Sequence, residues 1–145
     1  MEIVKICPTS YISRDKIRFS MLKDDEDYFA HEDEVFDEFI HQIQEALNTP
    51  ESGYVIADAT HLNERSRNKT LDRLDLPVGT DIIPVNVYPG IQKCLNNNEK
   101  RKGRAKVPRG VIRRMCMQYE PPADDEKYKY YTVFTSVMHE KEKKS

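Results

Sequence analysis

Apolar positions along the chain follow two kinds of pattern. Over residues 32–47, Val35, Phe36, Phe39, Ile40, Ile43 and Leu47 recur at the spacing of one helical face, which predicts an amphipathic helix. The stretch Gly53-Tyr54-Val55-Ile56-Ala57-Asp58-Ala59-Thr60-His61-Leu62 instead contains a short unbroken apolar run rich in β-branched and aromatic residues. Such a run is expected to be a strand buried on both faces, as in parallel sheets. Pro50, Ser52 and Gly53 punctuate the join between the two.

The remaining pattern is weaker and still ordered. Residues 1–6 hold too few apolar positions to assign, and Pro8 breaks any helix there. Residues 9–13 read as a short strand and residues 14–18 as the turn into a helix, followed by an acidic connector, 24–34, with Tyr28 and Phe29. Asn63 is placed to cap a helix that starts near Glu64 and turns Leu71 and Leu74 inward. Residues 81–88 predict a strand in which Pro84 marks an edge or a bulge. A helix over about 90–98, a basic loop 100–106, a helix 111–119 behind Pro108, and a last strand 130–137 complete the chain. Strands alternating with helices predict an α/β domain with a mainly parallel sheet.

Ligands of open α/β sheets bind beyond the carboxyl ends of the strands, which is where Asp58 falls. A carboxylate there is costly unless it is paired, hydrogen-bonded or near a cation. Asp58 as a simple cap of the following helix is the plainer alternative.

Composition adds little, whereas charge distribution adds more. The 145 residues suit one domain, and the net charge of -2 names no partner. Acids crowd residues 24–38, and bases crowd residues 93–114, where Glu99 is the one acid. That asymmetry suits an anionic ligand, although solvated helix faces produce it too. Cys7, Cys94 and Cys116 lack zinc-site spacing and read as free thiols of a reducing compartment. With no membrane-length apolar segment and no signal-peptide layout, a cytoplasmic location without membrane contact is expected. Residues 139–145 form a charged tail beyond a single domain, 1–138.

Two constellations carry candidate chemistry. Asp15 and Arg18, three apart, share a helix face and join a proton acceptor to a phosphate-binding cation. An N-cap Asp beside a surface Arg explains them equally well. Residues 97–108 combine a glycine-hinged basic loop with a helix behind it, and planar guanidinium groups there suit phosphates. A solvated basic face is the commoner origin of such a run.

Taken in order, Ser13-Arg14-Asp15-x-x-Arg18, then Asp58-Ala59-Thr60-His61-Leu62-Asn63, then Asn98-x-x-Arg101 leading to Val107-Pro108 resembles the polynucleotide-kinase branch of the P-loop kinases. The similarity spans about residues 11–122. It implies a P-loop NTPase-like three-layer α/β fold with a lid over about 90–108. By resemblance Asp15 is the general base for a 5′-hydroxyl, Arg18 holds the acceptor phosphate, Asp58 ends the Walker-B-like strand, and Arg101 grips the donor phosphates with Arg104 and Thr60 nearby. The implied reaction moves the γ-phosphoryl of ATP, with Mg²⁺, to a nucleic-acid end or a small hydroxyl acceptor. Positioning and charge stabilisation dominate such catalysis.

Two departures qualify the resemblance. The lid position that is usually Arg is Asn97 here, and His61 replaces the usual Asn after Thr60. More seriously, no Gly-x-x-x-x-Gly-Lys-Ser/Thr occurs in the 145 residues. That loop supplies backbone N–H groups, a Lys and a hydroxyl for Mg²⁺. Forfeiting about four charge-assisted hydrogen bonds at roughly 1.5 kcal/mol each weakens nucleotide binding on the order of ten-thousandfold. Little or no ATP-dependent turnover is therefore expected from this chain alone. The family's first strand, central in the sheet, is missing with the loop, and residues 7–10 are too short a link for residues 1–6 to replace it as a parallel neighbour. A different pairing, an open gap, or a homo-oligomer or partner chain completing the sheet is expected. A shortened reading frame, an engineered fragment and a split gene would each leave such a sequence. Beside the kinase reading stand a non-catalytic nucleic-acid or polyanion-binding module built on residues 93–114, and a small-molecule or tRNA-linked kinase of the same superfamily.

Overall fold

In the computed structural model, residues 7–49 and 53–122 and the backbone of 132–134 are described. Strand β1 (Thr9–Ser13) runs directly into helix α1 (Arg14–Met21), and the join has a definite cause. Ser13 keeps an extended backbone and its hydroxyl accepts from the Lys16 amide, so Ser13, not Asp15, caps the helix. Helix α2 (Glu32–Asn48) follows the predicted periodicity and buries Val35, Phe36, Phe39, Ile40 and Ile43. Strand β2 (Tyr54–Asp58) then pairs parallel with β1, with Ser13 opposite Asp58. The two helices between them supply the crossover that a parallel pair requires.

The chain divides into two units, Met1–Thr60 with Lys69–Gly79, and His61–Asn68 with Thr80–Ser145. In the first, Ile12, Ile17, Val35, Phe39 and Ile43 form the core, with Val55 and Leu74 packed against it. The helices cover one face of the β1–β2 pair. Tyr11, Tyr54 and Ile56 alternate onto the other, where Tyr54 is 58% and Ile56 46% exposed. This corrects the expected burial of β2 on both faces: among the described residues of its own unit the pair has helices on one side only, and Tyr54 and Ile56 on the other are exposed.

The second unit holds helix α3 (Glu64–Leu71) up to Asn68, strand β3 (Val85–Val87), helix α4 (Ile91–Glu99), helix α5 (Arg109–Gln118) and strand β4 (Thr132–Phe134). Asn63 caps α3 as predicted, its Oδ1 accepting from the Ser66 amide at 2.9 Å. β3 begins just after Pro84 and is shorter than the strand predicted over 81–88. It pairs parallel with β4, which lies inside the strand predicted over 130–137, whose flanks fall outside the described residues. Residues 1–6 and the tail from 139 fall outside them as well.

Among the described residues the architecture is thus mixed α/β with parallel pairing, one two-stranded sheet in each unit. Among the described residues no helix is long and apolar enough to cross a membrane.

Candidate functional site

The carboxyl ends of β1 and β2 lie side by side because the register sets Ser13 opposite Asp58. Asp58 lies at the end of β2, and Asp15 follows β1 by two residues, in the first turn of α1. Neither is a helix cap. The Asp58 carboxylate accepts from the Tyr11 hydroxyl, two residues before Ser13 on the neighbouring strand. That bond, followed by partial burial and the charge of Asp58, holds the Tyr11 phenol above its usual range, and Asp15 adds to the effect.

Asp15 is fixed through one oxygen. Its Oδ1 accepts from Arg18 Nη1 and, at 2.6 Å, from the Tyr28 hydroxyl. Its Oδ2 has no partner among the described residues, and the side chain is 58% exposed.

Arg18 lies beneath, only 6% exposed. Its Nε donates to Glu32 Oε1 at 2.8 Å, Nη2 stands 2.6 Å from the same oxygen, and Nη1 also donates to the Tyr28 hydroxyl at 2.8 Å. The guanidinium carbon sits 4.4 Å from the Tyr28 ring centroid. Burial alone would lower the Arg18 pKa, but Glu32, Tyr28 and Asp15 together raise it. Burial first, and then the bond to Asp15, push Tyr28 up to about 12, so its proton stays available to Asp15 at neutral pH. The ring of Tyr28 also meets Phe19 and Phe29 edge-on at 5.8 and 4.8 Å.

Sequence reasoning named Asp15, Arg18 and Asp58 but missed Tyr28, Glu32 and Tyr11 as their partners. Glu32 lies fourteen residues from Arg18 across the connector. No local spacing signals that contact. Arg18 was expected to hold an acceptor phosphate; here its donors are committed to protein groups. Thr60 is exposed just beyond β2.

Arg101 and Arg104 belong to the second unit, where residues 100–106 form a loop closed by Asn98. Asn98, 1% exposed, donates through Nδ2 to the Val107 carbonyl at 2.7 Å and accepts from the Val107 amide at 3.0 Å. Glu99 pairs with Lys106 at 2.9 Å and Arg109 at 3.2 Å, and these two cations hold its carboxyl below the usual range. Lys100, Arg101 and Lys102 are exposed on the loop, and Arg104 is half-buried.

ATP with Mg²⁺, which the sequence resemblance implies, requires a nest of backbone N–H groups and a metal-holding hydroxyl. The left-handed glycines Gly79, Gly90 and Gly103 are scattered along the chain and build no such nest among the described residues. Arg101 and Arg104 in the second unit and Thr60 in the first do not by themselves fit a triphosphate with its metal ion. No protein-family model and no curated protein matches the sequence, so the kinase resemblance rests on the motif residues themselves.

Proposed function

We propose that this chain carries the acceptor side of a polynucleotide-kinase-like phosphotransferase. In this reading the free Oδ2 of Asp15 takes the proton of an attacking hydroxyl, while Arg18 and Tyr28 fix the carboxylate through Oδ1. The observation that carries the reading is the asymmetry of Asp15: one oxygen clamped by two donors, the other open, at the carboxyl edge of a parallel strand pair beside Asp58. A general base needs that combination of orientation and access. The preferred acceptor is the 5′-hydroxyl end of a nucleic acid. The ATP cradle is supplied by a P-loop segment in the same protein or a partner, and the 145 residues alone turn over little or nothing.

Label transfer from the γ-phosphoryl of ATP to a 5′-hydroxyl oligonucleotide, with a P-loop segment provided, tests this. Asp15→Asn is expected to lose about a hundredfold or more, the usual worth of a general base. Undiminished transfer by Asp15→Asn removes the assignment. A small hydroxyl compound or a tRNA-linked acceptor would leave Asp15 in the same role and be revealed by competition against the oligonucleotide.

A second reading is supported by the Asn98-closed loop with its exposed Lys100, Arg101 and Lys102: binding of nucleic acid without chemistry. Oligonucleotide affinity that falls steeply between two salt concentrations is expected, because phosphate contacts release counterions. A flat response counts against it.

A further inference from the structure

We propose that Arg14, Lys69 and Arg73, gathered around the ring of Phe36, form a binding site for a phosphate group. The site is distinct from Asp15 and stands whether or not the chain takes part in phosphoryl transfer. Phe36 is a buried residue of α2, and three cations from other segments lie over its ring. The Arg14 carbon Cζ is 5.3 Å from the ring centroid, Lys69 Nζ 4.6 Å and Arg73 Cζ 5.5 Å. A ring has two faces, so at least two of these charges share one. Cation–π attraction favours each singly, but like charges gathered this closely repel one another.

The carboxylates nearby do not offset that crowding. Glu32 offers Oε2 to Arg14 Nη2 at 3.2 Å while its Oε1 is committed to Arg18. Asp37 reaches Arg73 at 3.1 Å, with both side chains at least half exposed, where an ion pair contributes little. Lys69 has no carboxylate partner among the described residues. Arg14 adds an independent sign, because its Nε is buried with no acceptor among the described residues. Unmet buried donors are uncommon and call for a partner. A phosphate drawn to these cations offers oxygens to the terminal nitrogens of two guanidinium forks and places its charge beside the Lys69 ammonium, with the buried Arg14 Nε–H close enough to report its arrival.

The phosphate is either free or part of a nucleic-acid strand, and two titrations separate these sources. Inorganic phosphate is titrated into the whole chain at constant ionic strength, reading heat and the NMR resonance of the Arg14 Nε–H. Saturable binding that shifts this resonance is expected, with Lys69→Gln and Arg73→Gln each weakening it about tenfold, the worth of one charged hydrogen bond. Lys69→Arg keeps the charge and is expected to keep binding. A single-stranded oligonucleotide with unphosphorylated ends is titrated in parallel. Weakening of its binding by the same variants assigns the site to a strand phosphate, whereas phosphate binding without oligonucleotide binding assigns it to free phosphate. The proposal is overturned if phosphate acts no differently from chloride, or if both Gln variants, folded by near-ultraviolet circular dichroism, bind it unchanged.

Discussion

The segments β1–α1–α2–β2 and β3–α4–α5–β4 follow one plan, two parallel strands joined through two helices, and are held by different forces. In the first, the 17-residue α2 lays Val35, Phe39 and Ile43 into a core with Ile12 and Ile17. In the second, α4 and α5 span 9 and 10 residues; α4 buries Leu95 and Asn98, and α5 buries no residue. Directional contacts take over there. Arg67 donates to the carbonyls of His61 and Glu120 at 3.1 and 2.8 Å, the Glu120 amide donates to the Leu62 carbonyl at 2.7 Å, and Tyr88 stacks on Tyr119 at 4.2 Å. The first unit is secured by area removed from water and the second by a few polar clasps, so they should break in different ways.

The largest expected effect is Phe39→Ala. Phe39 is fully buried, and truncating such a ring costs about 3–5 kcal/mol. Chemical denaturation should show that loss, with a smaller one for Leu95→Ala, which empties a thinner apolar layer. A Leu95 loss equal to that of Phe39 would give the second unit an apolar core of equal weight and break the comparison. Next comes Arg67→Met, which keeps the stem and removes the donors. Carbonyls left without partners should cost the second unit about 2–3 kcal/mol. An unchanged denaturation midpoint for Arg67→Met would show that water replaces the guanidinium and that the clasps are incidental.

Asn98→Ala sharpens the contrast on a smaller scale. It removes both bonds to Val107 and is expected to cost about 2 kcal/mol. Its distinctive readout is faster tryptic cleavage within residues 100–106, whose ends Asn98 ties together. Cleavage at the original rate would assign the loop's order to the Glu99 ion pairs instead.

The same contrast explains how much was legible in the sequence. α2 was readable almost to its ends because burial on one face imprints a period of 3.6 on the residues. Asn63 and Pro108 marked real boundaries because capping and proline chemistry are local, whereas Pro84, read as an edge or bulge within a strand, instead precedes one. The burial of β2 was misread: an apolar run records what a strand can pack against, and its outer face meets no layer among the described residues of its own unit. The candidate site was half legible. Asp15, Arg18 and Asp58 stand out by type and spacing, but what orients them is long-range. Tyr28 approaches Asp15 across thirteen residues, and Tyr11 finds Asp58 across forty-seven. Asn98 was noticed as part of a motif, and its two bonds to a backbone nine residues away have no signature in sequence.

The smallest effect expected concerns a polar clasp in the first unit, whose core is apolar. His31 precedes α2, with Nε2 2.7 Å from Glu26 and Nδ1 3.5 Å from Glu34. Those two carboxylates, Glu26 first, raise the imidazole above its ordinary value of 6.5, against the unfavourable end of the helix dipole. Glu26 is lowered in turn, chiefly by the Lys23 amide and then by His31. A raised folded-state pKa gives stabilisation that is complete below 6.5 and lost as pH rises through the raised value. A lowered carboxylate gives stabilisation that is lost as pH falls through its own. The connector between α1 and α2 should therefore be tightest in the mildly acidic window between the two and loosen toward alkaline pH. Amide exchange across residues 23–31, corrected for the intrinsic pH dependence of exchange, should show this, and His31→Gln should flatten the alkaline limb. An alkaline limb that survives His31→Gln would assign the change to another group. Tyr28 lies within that connector and holds Asp15 and Arg18, and with its own pKa at about 12 it does not titrate over this range. Alkaline loosening felt at Asp15 is therefore expected to start from His31 and not from Tyr28, and the first unit's site, unlike its core, depends on the same kind of directional contact that holds the second.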